Sequence, residues 1–330
     1  MQNQVTVSWQ PLCNSSVFNI QCRQQGTLDW SSIKNISATT VNLLALTPGT
    51  TYEYQLQSKC GSVKSSWTAI QTFSTLPVPP SSKPNIFAVM LDDGRYDIYQ
   101  PTGGPAWFNT PSITRIASEG VNFQITIPGT SQCAPSRATF YTGLYPHHNG
   151  CEVNGNHLNP NFPLIQQILK DNGYYTGFVG KYGQFLGNPK GFDYWAVSNT
   201  DAYIDVTYTI NGVDTFIAGN ISDIFPLMAL DFLNQVPPGM PFALFYFPRA
   251  PHSPTIPTPE EALLYTNDTI PFPPNFYAYT HDYPNFYYYS NHKWPYDAQE
   301  TDSIKLLEFQ TVAGVEQNVD TLMDWLESHN

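Results

Sequence analysis

Positive charge is scarce in this chain. Lys and Arg total 14 among 330 residues, against 26 Asp and Glu, and the formal charge is −12. A non-specific nucleic-acid binder needs a basic surface, so that class is excluded. Long apolar runs are missing too, and no stretch is long and apolar enough to span a membrane. Cysteine is sparse; the five present show no zinc spacing, and the odd count leaves at least one thiol unpaired. No internal repeat is apparent. No signal peptide is visible, because "MQNQVTVSWQ" enters strand-like alternation almost at once. What is plentiful is apolar and ring-bearing: 41 % hydrophobic residues, 15 % aromatics and 29 prolines. That composition supports a substantial core, long ordered loops and ring-stacking surfaces.

"STLPVPPSSKP" is a proline/serine linker, placed at 77–84. Before it, "VTVSW", "FNIQCR", "TTVNLLAL" and "TYEYQLQSKC" alternate with period two between turn residues, the pattern of an all-β sandwich over 1–76. The detail resembles a fibronectin type III domain. Trp9 fits the core tryptophan of an early strand, and "LTPGTTYEYQLQS" fits the strand that carries a tyrosine corner. Cys13 and Cys60 could pair or could both remain free thiols.

Beyond the linker, over 85–330, the pattern changes. "NIFAVML", "YYTGFVG" and "PFALFYF" are near-continuous apolar runs of the kind found in strands buried on both faces, and "VNFQITI" reads as a further strand. Helical patterns lie between them, in "SITRIASEG", Pro135 to Thr142, "PLIQQILKDNG" and "DIFPLMALDFLNQV". Alternating strands and helices imply an α/β sheet with helices on both faces.

Sites in such sheets form beyond the C-terminal ends of the strands. "FAVML" delivers Asp92 and Asp93, "YYTGFVG" delivers Lys181, and "PFALFYF" delivers Arg249 and His252; the "NFQITI" run leads to Cys133 and Arg137. Each alone has an ordinary reading: a turn, a solvated lysine, a loop histidine, a structural thiol. Together they form a coherent set. Two carboxylates suit Ca²⁺ or Mg²⁺. Arg137 and Lys181 supply charge for an oxyanion, and His252 can exchange a proton near neutrality. Such a set suits sulfuryl or phosphoryl transfer.

"CAPSRATFYTG" resembles the sulfatase signature, Cys-x-Pro-Ser-Arg followed by Thr-Gly. "NIFAVMLDDGRYD", "GYYTGFVGKYG" and "RAPHSP" resemble that family's metal-binding strand, Gly-Lys strand and Pro-His loop. The resemblance implies an alkaline-phosphatase-like α/β sheet and hydrolysis of an aryl or carbohydrate sulfate. It implies that a separate maturation enzyme converts Cys133 to formylglycine. The hydrated aldehyde would attack sulfur through one hydroxyl, the alcohol would leave, and the second hydroxyl would expel sulfate. Asp92, Asp93 and residue 133 would hold Ca²⁺, with Mg²⁺ as the other candidate. Arg137 would hold the diol, Lys181 a sulfate oxygen, and His252 would protonate the leaving group. The expected partners are a sulfated small molecule or glycan and the maturation enzyme. The expected location is extracellular, periplasmic or at the cell surface.

Two departures stand out. Many relatives have a histidine where this chain has Gly183; Gln184, His147 and His148 are possible substitutes. The later strand that supplies the family's remaining metal ligands has no counterpart. The only "DNG", Asp171 to Gly173, reads as a helix C-cap. "SIKLLEFQTVAGVEQNVDTLMDWLESHN" resembles the helix before that strand. The expectation is therefore a catalytic domain that is C-terminally incomplete, with an unpaired sheet edge, weak metal binding and no activity on its own. Other readings are a phosphodiester or phosphonate-ester hydrolase of the same superfamily, and a non-catalytic binding or scaffold protein. Paired sulfate and phosphonate substrates separate the first from a sulfatase. An unmodified Cys133 in the native source would favour the second. "YPNFYYYSNHKWPY" is a candidate sugar-stacking loop or an aromatic-packed surface loop.

Overall fold

The computed structural model describes residues 3–11, 16–76, 83–159, 161–183, 188–198, 200–272 and 298–329. Cys13, Gln184 and the aromatic run at 283–296 lie outside them. The chain divides into two compact units, Met1–Ser82 and Lys83–Asn330.

The first unit is all β. Strands β1 (Val5–Ser8) and β4 (Thr40–Leu43) pair antiparallel. A second sheet runs in the order β3 (Ser31–Ile36), β2 (Ser16–Gln24), β5 (Thr51–Cys60), β6 (Val63–Lys64), and β7 (Gln71–Ser74) pairs with β5. Period-two alternation turns Val7 and Leu43 of one sheet towards Ile20, Cys22 and Tyr52 of the other, and they share one core. Trp9 packs against that core and meets Phe18 edge-on at 5.2 Å. The Tyr52 hydroxyl accepts the Thr47 N–H at 2.9 Å, pinning the turn before β5. Cys60 is disulfide-bonded, whereas Cys22, Cys133 and Cys151 are free.

The second unit is built on a six-stranded sheet in the order β12, β11, β10, β9, β13, β8. The strands are β8 (Ile86–Val89), β9 (Tyr175–Gly180), β10 (Tyr194–Val197), β11 (Ile204–Ile210), β12 (Val213–Asn220) and β13 (Phe242–Phe247). β10, β9, β13 and β8 are mutually parallel, while β11 and β12 form an antiparallel hairpin. Every residue of β13 is buried. Phe242, Leu244 and Tyr246 face one core cluster; Ala243, Phe245 and Phe247 face the other. Each buried phenylalanine stabilises the sheet by roughly 1.5–3 kcal/mol.

Helices cover both faces. α5 (Ile221–Gln235) and α6 (Ala298–Ser328) supply Phe232 and Val315 to the first cluster, and α2 (Cys133–Thr142) supplies Ala138 and Tyr141 to the second. α5 carries Pro226 in its interior, which deprives the Ser222 carbonyl of its helical donor. The Asn318 amide on α6 donates to that carbonyl at 2.8 Å and ties the two helices together. α1 (Pro111–Glu119) begins with proline, and its next two N–H groups, on Ser112 and Ile113, point at the Glu316 carboxylate, 3.0 and 3.4 Å away. Two short helices, α3 (Pro146–Asn149) and α4 (Ile165–Asp171), complete this unit. Gly173, at φ 83°, follows α4, so Asp171–Gly173 is the expected cap.

Two expectations fail. "VNFQITI" forms no strand: Val121, Phe123, Ile125 and Ile127 are 76–86 % exposed. Its alternation has no neighbouring edge to pair with among the described residues. β8 is only half-buried rather than enclosed on both faces, because it ends the sheet and, among the described residues, has one unpaired edge there.

Candidate active site

The C-terminal ends of β8, β9 and β13 converge with the start of α2. β9 ends in Gly180, at φ 122°. A Cβ there would fall 2.0 Å from the Phe247 carbonyl oxygen, so only glycine lets β9 and β13 stay paired to their last residue. Lys181 follows at once, and its N–H donates to the same carbonyl at 2.9 Å. Asp92 bridges to Pro251 beyond β13, which draws the 249–252 loop over the end of β8.

Asp92 is the electrostatic centre. Its carboxylate receives Arg137 Nη2 on Oδ1 at 3.2 Å and the Lys181 ammonium on Oδ2. Arg137 and Asp92 are 2 % and 3 % exposed, so this is a desolvated pair. Arg137 also donates to the Lys181 carbonyl at 2.5 Å and lies 5.5 Å over the Phe247 ring. Burial alone would push the Asp92 carboxyl up, but Arg137 and Lys181, with His252, outweigh it and hold it below the usual carboxylate range. Two cations against one carboxylate leave this point positive.

Asp93 is held at φ 64°, a left-handed conformation that turns its side chain outward, 61 % exposed. His252 Nε2 lies 3.9 Å from its carboxylate. The other ring nitrogen, Nδ1, lies 2.6 Å from the Ser253 carbonyl. A carbonyl only accepts, so Nδ1 carries a proton and Nε2 is the nitrogen that gains or loses one. Arg249 lies 3 % exposed beside this group and is tethered elsewhere: it donates to the Thr200 carbonyl at 2.5 Å and pairs with Asp201.

Cys133 occupies the first position of α2, two residues earlier than a start at Pro135 implies. Two residues that sequence reading passed over, Asn154 and Tyr203, support the site, the first at Cys133 and the second at His252. The Asn154 side-chain oxygen accepts the Ala134 N–H at 3.1 Å and the Cys133 thiol at 3.5 Å. Gln132 accepts the Asn154 N–H at 2.7 Å. Tyr203, fully buried, donates to the His252 carbonyl at 2.6 Å. Neither asparagine nor tyrosine belongs to a recognisable run. His147 and His148 sit on α3, with His147 stacked on Tyr145.

Adjacent carboxylates are the hard-oxygen donors that Ca²⁺ takes. Both Asp92 oxygens are already engaged by Arg137 and Lys181, however. Among the described residues no three His, Cys, Asp or Glu side chains are grouped so as to hold a metal ion. The residues present fit part of a calcium shell.

The sulfatase family profile matches residues 84–330. The chain belongs to the sulfatase family. An N-acetylglucosamine-6-O-sulfatase of Bacteroides thetaiotaomicron is 29 % identical over 201 residues, covering 60 % of this chain and 36 % of that protein. The human N-acetylglucosamine-6-sulfatase is 28 % identical over 219 residues, covering 59 % and 39 %. The chain thus spans about two fifths of the length of these sulfatases. A solved structure of a protein bound to its substrate D-glucosamine-2-N,6-O-disulfate superposes with a TM-score of 0.66 at 23 % identity, covering 75 % of this chain and 63 % of the other. The phosphonate monoester hydrolase of Agrobacterium radiobacter shares the fold at a TM-score of 0.58 and 17 % identity, covering 74 % and 60 %. Among the described residues, no helix is long and apolar enough to cross a membrane.

Proposed function

We propose that the protein hydrolyses the sulfate ester of an amino sugar, with residue 133 converted to formylglycine as nucleophile. The observation that carries this is the buried Arg137–Asp92–Lys181 cluster at the head of α2. Its excess positive charge suits a sulfate monoanion in a desolvated site, where fixed charges act strongly. Arg137 orients the side chain of residue 133, Lys181 holds a sulfate oxygen, and His252 delivers a proton from Nε2 to the departing oxygen. Asp92 and Asp93 would contribute oxygen donors to a Ca²⁺ ion, which when bound would add positive charge against the sulfate oxygens. The amino-sugar assignment draws on the two N-acetylglucosamine sulfatases among its relatives.

The all-β unit at 1–76 is proposed as a fibronectin type III-like module joined through 77–84, a reading supported by the Thr47–Tyr52 hydrogen bond. Export to the periplasm, cell surface or medium fits such a module.

The test uses protein made alongside a formylglycine-generating enzyme. Peptide mass spectrometry of residue 133 should show loss of the thiol and an aldehyde that reacts with hydrazide. N-acetylglucosamine 6-sulfate should turn over faster than a matched phosphonate ester. Full turnover with an unmodified Cys133 would overturn the nucleophile, and a preference for the phosphonate would overturn the reaction class.

A further inference from the structure

Arg249 is buried, 3 % exposed, and has no part in the reaction proposed above. Burying a guanidinium is costly, because the fold must replace its water. Burial works against its charge, which the Asp92 carboxylate supports. An apolar side chain would fill the same space without that cost, so the charge and its donors need a reason.

The sheet shows what those donors join. Phe247 of β13 lies level with Gly180 of β9, and Gly180 with Val197 of β10. Arg249 follows the end of β13 by two residues. Its Nη1 donates to the Thr200 carbonyl at 2.5 Å, and its Nη2 pairs with Asp201. The side chain therefore crosses the end of β9 and grips the connection between β10 and β11. Nε has no partner among the described residues, so the whole hold is on Thr200 and Asp201.

The same connection returns to the histidine. Tyr203, two residues past Asp201, donates to the His252 carbonyl, and the Arg249 carbonyl accepts the His252 N–H at 3.0 Å. Arg249, the 200–203 segment and His252 thus form a closed ring of contacts, which holds both backbone groups of His252. A planar arginine fork can hold two neighbouring acceptors at once, whereas a lysine meets them as a single point.

We propose that Arg249 is a positioning residue for proton transfer: its guanidinium fixes the 200–203 segment, and through Tyr203 that segment fixes the imidazole of His252. The role rests on the sulfatase reading for its use in turnover but not for its geometry. The test measures kcat and KM on a sugar sulfate and on nitrophenyl sulfate, in protein made alongside the maturation enzyme. The variants are Arg249→Met, Arg249→Lys and Asp201→Ala, with thermal melts to confirm folding. Asp201 is 74 % exposed, so its variant keeps the fold whatever the buried changes do. Arg249→Met should lower kcat on the sugar sulfate roughly tenfold, with KM near wild type and the aryl sulfate nearly unchanged, because a displaced proton donor matters only to a poor leaving group. Arg249→Lys and Asp201→Ala should show the same selectivity at about threefold. In a His252→Ala background, Arg249→Met should add nothing. Equal losses on both substrates, a change in KM alone, or full additivity with His252→Ala would overturn the role.

NMR of isotope-labelled histidine supplies a readout that needs no turnover. The ring signal that His252→Ala removes should shift or broaden in Arg249→Met and in Asp201→Ala. An unmoved signal overturns the positioning role. A moved signal in protein that turns over no sulfate ester leaves the positioning role standing and removes the sulfatase reading.

Discussion

The Tyr203 hydroxyl donates to the carbonyl oxygen of His252 at 2.6 Å. Burial, then the carboxylates of Asp92, Asp93 and Glu261, push the phenol well above its ordinary pKa, so it stays a donor at any working pH. Tyr203→Phe removes the tether and leaves the imidazole in place. The expected outcome is a loss of roughly tenfold in kcat for sugar sulfates with little change in KM, since about 1.4 kcal/mol of positioning is a factor of ten. An equal rise in KM would indicate a collapsed pocket rather than a displaced histidine.

His252→Ala should cost sugar sulfates about 100-fold or more and aryl sulfates much less, because only poor leaving groups need the proton. Rates on a series of phenyl sulfates of rising leaving-group pKa provide the check. Equal losses across the series would remove His252 from the acid role.

Asp92→Asn leaves Arg137, 2 % exposed, without its counter-charge. Breaking one partner of a buried pair costs about 3–5 kcal/mol at neutral pH. The Asp92 pKa is depressed in the fold, so its contribution is present above the unfolded carboxylate value and is lost as pH falls through the folded one. Denaturant titrations from pH 7 down to strong acid should therefore show the gap between wild type and Asp92→Asn narrowing. A constant gap would mean that the pair adds nothing through ionisation.

Glu316 behaves in the opposite sense. Burial pushes its carboxyl up to about 7, against the pull of the Ile113 and Ser112 N–H groups. A raised folded pKa stabilises below the unfolded value and loses that contribution as pH rises towards about 7. Glu316→Gln keeps an acceptor for the start of α1 and cannot ionise. Its melting temperature relative to wild type should rise between pH 5 and pH 8; a fall would mean that the charged form is the better cap.

Much of the site was legible because its chemistry is local in sequence. Cys133, Arg137 and Gly143 share one helix and its stop, Gly180–Lys181 closes one apolar strand, and Pro251–His252 follows another. The supporting contacts were not legible. Asn154 reaches Cys133 across 21 positions and Tyr203 reaches His252 across 49, and nothing in a linear pattern joins them. The β11–β12 hairpin was passed over although its signal is present: Asn211 and Gly212, at φ 48° and 89°, sit between two alternating runs. The strand expected at "VNFQITI" failed for the converse reason. Alternation states a capacity to pair, and a strand exists only where another edge accepts it.

That same segment has a practical consequence. Val121, Phe123, Ile125 and Ile127 place on the outside the side chains of an interior. A net charge of −12 keeps molecules apart at low salt, but salt screens that repulsion. Strongly excluded salts such as sulfate also deepen the attraction between apolar surfaces. A strip of seven residues should therefore promote self-association as sulfate rises, and a lysine at Phe123 or Ile125 should raise the sulfate concentration at which the solution clouds.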